Sequence, residues 1–184
     1  MRHSFLSVSL SISLAAALLA GCGSPDANPP DASPPDASPA AREDLLAESL
    51  LVWQDLKAAD DGTYQYTRSD SSFSGYRSTT TFVVEADVVV RRAFEGYDEN
   101  GVLVDSFEEQ GAEVGSNEGA APAHTIDELY EICRDEVLTQ DPDDNDFYLT
   151  FRDDGILELC VYVPTDCADD CDEGVEIDSL DMSL

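Results

Sequence analysis

Apolar positions recur along this chain in two rhythms, one of about 3.6 residues and one of two, and the rhythms alternate. After Ser38-Pro39, an N-cap followed by a proline suited to a first helical turn, Leu45, Leu46, Leu50, Trp53 and Leu56 share one helical face. Asp60-Asp61-Gly62 then stops the run. Tyr64 and Tyr66 alternate with polar neighbours, as on a half-buried strand. Thr79 to Val84 and Val88 to Phe94 are β-branched runs around Glu85-Ala86-Asp87, which predicts a hairpin. Asn100-Gly101 is a turn pair ahead of a strand from Val102 to Phe107. Residues 111–123 are small and polar and are expected to form a mobile connection. Thr125-Ile126-Asp127-Glu128 matches a capping box, and Ile126, Leu129, Tyr130, Cys133 and Val137 then line one helical face. Phe147 to Phe151 and Ile156 to Val163 flank Asp153-Asp154-Gly155 as another hairpin, and Gly174 to Ile177 fits a last short strand. This order predicts an α+β fold, an antiparallel sheet built from hairpins with two helices packed on one face.

The first forty residues are of another kind. Arg2 and His3 precede an apolar run from Phe5 to Leu19, too short and too rich in Ser and Ala for a membrane span of about 20 residues. It reads as a signal-peptide core over residues 1–21. The run ends Leu19-Ala20-Gly21-Cys22, which resembles the lipobox of bacterial lipoproteins. The resemblance implies cleavage before Cys22 once its thiol carries diacylglycerol. The alternative is a plain signal peptide with a chance cysteine, but apolar run, small residues and Cys22 fall in one register. Gly23, where an Asp would signal inner-membrane retention, implies the outer membrane in a host that sorts by that rule. Residues 22–40 hold six of the nine prolines and repeat Pro-Pro-Asp-Ala-Ser at 29–33 and 34–38. Such a composition favours extended polyproline II and makes a semi-rigid tether of roughly 50 Å at about 3.1 Å per residue. A ligand for a proline-reading domain is the weaker alternative.

Residues 41–184 have the length of one ordinary domain. From Cys22 onward the chain carries eight basic residues against forty acidic ones, a net charge of −32, and its only lysine is Lys57. That charge repels phosphate backbones and excludes nucleic acid as a partner. It also disfavours lying on an anionic bilayer. It could draw a basic partner or divalent cations, although acids scattered along the whole chain speak first for solubility. Asp141 to Asp146 begins like a calcium loop, yet Asp146 stands where glycine is needed and Arg152 where a bidentate Glu belongs. That loop, and the cluster Asp169, Asp170, Asp172 and Glu173, are expected to hold cations weakly at most.

Catalytic motifs are sparse. His124 is the one histidine after the leader, so no two-histidine zinc motif exists, and no phosphate-binding glycine loop is present. A Ser–His–Asp set through His124, or a pair of carboxylates flanking a glycosidic bond, would be matched by chance in so acidic a chain. No cofactor is expected. Besides Cys22 the cysteines are Cys133, Cys160, Cys167 and Cys171, an even number in an exported chain, which points to disulfides. The rivals are a zinc site from Cys133, Cys167, Cys171 and His124, and free thiols, whose C-x-x-C spacing is missing here. Three connectivities are open. Cys133 lies on an apolar helical face, Cys160 in an apolar strand, and Cys167 and Cys171 in one acidic loop. The expected pairs are therefore Cys133–Cys160 and Cys167–Cys171. Strict strand alternation opposes this, because it sets Cys160 with Glu158 and Tyr162, away from Leu157, Leu159 and Val161. In that case Cys133 would join Cys167 or Cys171.

Trp53, Tyr64-Gln65-Tyr66, a hairpin and then His124-Thr125-Ile126-Asp127-Glu128-Leu129-Tyr130 ahead of a final hairpin resemble an uncharacterised family of small secreted bacterial lipoproteins. The resemblance covers roughly residues 45–180 and departs from the family at Ala86-Asp87, where relatives carry an Asp-Gly turn. It implies no activity. The function expected is that of an exported, membrane-anchored, non-catalytic module binding a protein, peptide or envelope component. The alternative is a carboxylate-dependent hydrolase.

Overall fold

The helical face around Trp53 becomes α1 (Pro39–Ala59) in the computed structural model, which describes residues 37–168 and 171–184. Ser38 caps α1 by accepting the Ala41 N–H at 3.3 Å. Four antiparallel strands follow, β1 (Tyr64–Ser71), β2 (Arg77–Glu85), β3 (Val88–Tyr97) and β4 (Leu103–Gln110). Next come α2 (Ile126–Ile132), β5 (Asn145–Phe151), β6 (Leu157–Pro164), β7 (Glu173–Glu176) and β8 (Ser179–Asp181). Every pairing is antiparallel and the fold is α+β.

The hairpins are shared between two sheets where the sequence suggested one. A five-stranded sheet runs β4-β3-β2-β1-β8 and a three-stranded sheet runs β5-β6-β7. The division occurs at Ile177-Asp178. The Ile177 N–H bonds the Glu158 carbonyl at 2.7 Å, while the Asp178 N–H bonds the Thr67 carbonyl at 3.0 Å. Consecutive residues thus serve different sheets. The strand that makes this possible, β8, has a single apolar residue, Leu180, and no sequence signal announced it.

One core joins the two helices to the inward faces of both sheets. It contains Leu46 and Trp53 of α1, Ile126, Leu129 and Tyr130 of α2, Tyr64, Tyr66, Phe82 and Val84 of the larger sheet, and Leu149, Leu157 and Val175 of the smaller. Trp53 meets Tyr64 edge-on, with ring centroids 4.8 Å apart, and Tyr66 stacks on Phe82 at 4.7 Å. Past Ile132, α2 ends in a π-helical turn, Cys133–Val137, closed by the Leu138 N–H on the Cys133 carbonyl at 2.9 Å. The wider turn still keeps Cys133 and Val137 buried.

Segment 111–123, expected to be a mobile connection, has fixed partners instead. The register Phe82–Arg92–Glu109 runs straight across the sheet and places both charges on its inward face. They are 3 % and 1 % exposed as a pair. Arg92 grips Glu109 with Nε at 2.7 Å and Nη2 at 2.9 Å. Glu109 also accepts the backbone N–H groups of Gly115 at 2.7 Å and Asn117 at 2.6 Å, and Arg92 donates to the Asn117 and Ala121 carbonyls. The loop is short of apolar residues because a buried ion pair anchors it.

Candidate functional site

The resemblance motif turns out to be the junction between helices and sheet. Thr125 and Glu128 form the expected capping box at the start of α2. The Tyr64 hydroxyl accepts the Ile126 N–H at 3.0 Å, and the Tyr66 hydroxyl donates to the His124 carbonyl. The Trp53 indole N–H reaches Asp127 at 3.2 Å. Lys57 bridges Asp127 and Asp87, each at 2.9 Å. Burial pulls the Lys57 ammonium down, but its bonds to Asp87 and Asp127 outweigh that and leave it above its usual range. Burial likewise drives the Tyr64 and Tyr66 phenols far above theirs. His124 only approaches Glu128, 3.8 Å away. These contacts hold α2 in place against the sheet and α1.

The structure joins Cys133 to Cys160, with Cα atoms 5.7 Å apart, and Cys167 to Cys171, with Cα atoms 6.2 Å apart. The alternation that opposed the first pair is interrupted by a bulge. Thr150 pairs with Leu159 but Phe151 pairs with Leu157, so Glu158 is the extra residue. Leu157 and Cys160 are therefore both fully buried although three positions apart. Cys22 lies outside the described residues, as do the leader, the tether up to residue 36, and Asp169 and Asp170.

The acidic loops are occupied by their own chain. The Asp141 carboxylate accepts the Asp143 N–H at 3.0 Å, and its carbonyl accepts from the Asn145 side chain at 2.9 Å. Glu173 accepts the Tyr162 hydroxyl at 2.7 Å. Among the described residues no cluster of three or more metal-type ligands occurs.

What remains is a cleft of about 830 Å³ where β1 and β2 of the large sheet face β6 and β7 of the small one. That volume suits a ligand of moderate size. Its walls carry Arg68, Arg77, Tyr97, Asp172 and Glu176, with a row of serine hydroxyls from β1. The eight basic residues of the described chain decide its meaning. Lys57, Arg91, Arg92, Arg134 and Arg152 form ion pairs, and Arg42 lies 4.3 Å above the Phe147 ring. Arg68 and Arg77 have no ion pair among the described residues, and both line this cleft. Arg68 makes one long bond, Nη2 to the Gly174 carbonyl at 3.5 Å. Burial lowers its guanidinium from the usual range, against the pull of Tyr66, Glu176 and Asp178. Glu176 is pushed up to about 7, first by burial and then by Asp178, so that it keeps a proton near neutrality.

In a chain with forty acidic side chains a free arginine is not for want of carboxylates. Sequence reasoning missed this cleft, although parity was a usable signal. Arg68 falls on the same strand face as Tyr64 and Tyr66, the inward one. The opposite wall comes from residues more than a hundred positions away. Comparisons with protein families, with curated proteins and with solved structures give no match to this chain.

Proposed function

We propose that this protein is a non-catalytic binding module held at the cell envelope by a lipid on Cys22, with the tether lifting the domain off the membrane and the β1–β7 cleft as its ligand site. The observation that carries the reading is that Arg68 and Arg77, which form no ion pair among the described residues, both line that cleft. A guanidinium without an ion pair can take an incoming carboxylate or another small anion bidentately. Asp70 and Asp172 on the same walls act against densely charged anions and in favour of an isolated negative group. The anchor is read from Leu19-Ala20-Gly21-Cys22, and among the described residues no helix is long and apolar enough to cross a membrane.

Acetate is the simplest probe of the cleft. Titrated into the full mature chain, it should shift the backbone amide resonances of Arg68, Ser69 and Gly174 and spare those of the Arg92 loop. The Arg68→Ala/Arg77→Ala double variant should remove the response. Shifts spread evenly over the surface would refute the reading. For the anchor, metabolic labelling with a radioactive fatty acid should mark the chain, and Cys22→Ser should abolish the label. Label persisting on Cys22→Ser would sink the lipid assignment.

One observation favours a second reading, a carboxylate-dependent hydrolase. A carboxyl titrating near 7 with a second carboxyl, that of Asp172, on the same cleft wall is the kind of pairing that glycoside hydrolysis uses. Glu176→Gln would then abolish turnover of an oligosaccharide substrate while leaving its binding intact. As a binding module the protein shows no turnover to lose.

A further inference from the structure

The cleft is bordered by two free strand edges. In β1 the Ser72 N–H closes the hairpin on the Tyr76 carbonyl at 2.9 Å. By antiparallel alternation, even-numbered residues of β1 therefore direct their backbone groups toward β2, and odd-numbered ones direct theirs away. On that far side β8 pairs only with residues 65–67. The N–H and C=O groups of Ser69 and Ser71 thus face the cleft with no strand opposite them among the described residues. The same argument holds for β7. The Ile177 N–H bonds β6, so Val175 and Glu173 direct their backbone toward β6, while Gly174 and Glu176 direct theirs outward. The Gly174 carbonyl reaching Arg68 agrees with that direction.

We infer that the cleft receives the extended C-terminal segment of another polypeptide, whose backbone pairs with the free edge of β1 at Ser69 and Ser71 and whose terminal carboxylate is taken by Arg68. The inference rests on the binding-module reading above and names the ligand class. Three observations carry it. The chain's own β8 already lies on this edge one step along, which shows that the edge accepts a short strand. Backbone groups with no strand opposite them among the described residues border the slot on both sides, and the Gly174 carbonyl is met only by the long bond from Arg68. Arg68, which forms no ion pair among the described residues, stands between the two edges where a carboxylate would complete it. Main-chain pairing with carboxylate capture needs little apolar surface, in keeping with walls of serine, arginine and carboxyl groups. Elsewhere the edge is guarded by acids such as Asp70 and Asp172, which discourages indiscriminate strand pairing. One negative group at the end of an otherwise uncharged peptide passes that filter.

The test uses the full mature chain, immobilised and exposed to a synthetic hexapeptide library of mixed sequence, with retained peptides read by mass spectrometry. The library is prepared with free C-termini, with amidated C-termini, and with alternate backbone nitrogens methylated. Free peptides should be retained at least tenfold over the amidated set, and methylation should abolish retention, since it removes the edge hydrogen bonds. Arg68→Ala should reduce retention about tenfold, and Arg91→Ala should leave it unchanged. Because the peptide is altered in the first comparison, no variant has to fold for the test to decide. Equal retention of amidated or methylated peptides would overturn the inference. Failure to retain any peptide while acetate still perturbs Arg68 and Ser69 would overturn it and leave the binding-module reading standing. Failure of both would remove the two together.

Discussion

Two inward-facing arginines, on the strands that flank β2 in one sheet, meet opposite fates. Arg92, on β3, is sealed by Glu109 and a loop folded over the pair, with every polar atom of the carboxylate engaged. Arg68, on β1, has one contact at 3.5 Å and a cleft in front of it. Both share a strand face with buried aromatics, Arg92 with Phe94 and Arg68 with Tyr66. The difference lies in what the sheet provides alongside. Arg92 has β4 as its neighbour, which supplies Glu109 in register, whereas the strand beside Arg68 ends at Ser179. A buried charge completed within the chain organises structure. One left incomplete at an open edge is available to a ligand.

The largest effect should come from breaking the completed site. Arg92→Ala leaves Glu109 charged, nearly unexposed and opposite an empty space, which should cost about 3–5 kcal/mol of stability. Bonding to Arg92 first, then the amides of Gly115 and Asn117, hold the Glu109 carboxyl far below its ordinary range. Its contribution is thus present at neutral pH and is lost as acid protonates it. Urea denaturation at pH 7 measures the cost, and amide exchange at Gly115 and Asn117 should rise with it. A loss under 1 kcal/mol would show the pair to be solvated and the contrast with Arg68 to be empty.

Next in size is the Cys133–Cys160 bond, which ties the end of α2 to β6 and so fixes the strand against which β7 pairs. Its ends are 27 positions apart, and the chain-entropy model assigns such a loop about 3–4 kcal/mol. The Cys167–Cys171 loop, with ends 4 positions apart, is worth about 2 on the same model. The Cys133→Ser/Cys160→Ser variant should therefore melt well below Cys167→Ser/Cys171→Ser in a thermal scan. The reverse order would mean that the acidic loop, and not the core bridge, holds β7 and the cleft wall.

How much of this was legible follows the same division. Local signals held because local chemistry makes them. The Thr125–Glu128 box, the face from Ile126 to Val137 and the hairpin turns depend only on near neighbours. What strand parity could offer was partly overlooked. Arg92 and Phe94, and likewise Phe107 and Glu109, share parity, which already places the two charges on an apolar face and forecasts a buried pair. Arg91 and Glu108, one step out of phase, form the exposed pair at 2.8 Å. The Glu158 bulge could not be read from alternation, since a bulge is a departure from it. Nor could the two-sheet division, which depends on Ser179–Asp181 finding β1 across more than a hundred residues. The cleft exists because of that distant pairing, so no local pattern contains it.

A smaller effect should appear in the pH dependence of the cleft. Glu176 titrates near 7 in the folded chain against about 4.5 unfolded, so the folded state holds a proton between those values that the unfolded state releases. Stability contributed by this group is present below about 4.5 and declines as pH rises toward 7. Glu176 is partly exposed, and solvent screening reduces the effect to about 1 kcal/mol. Glu176→Gln should hence be more stable than the parent at pH 8 and no better at pH 4. A stabilisation equal at both pH values would mean that packing, not ionisation, separates the two proteins.

The smallest expected effect is the loss of the cleft arginines themselves. Arg77→Ala removes a side chain with no ion pair among the described residues, and its stability should stay within about 0.5 kcal/mol of the parent. Arg68→Ala is a balance. Its aliphatic stem shares the inward strand face with Tyr66 and its removal loses apolar cover there, but it also relieves the burial that lowers the guanidinium. The two should nearly cancel, again within about 0.5 kcal/mol. A second consequence is specific to the geometry. Arg68 is the group that lowers the Glu176 carboxyl, so without it Glu176 should titrate higher still. Urea denaturation of both variants at pH 7, with an NMR titration of Glu176 in Arg68→Ala, reads stability and ionisation separately. A loss above about 1.5 kcal/mol for either arginine would place it with Arg92 as a structural charge, because removing a side chain without an ion pair should not leave an uncompensated partner behind.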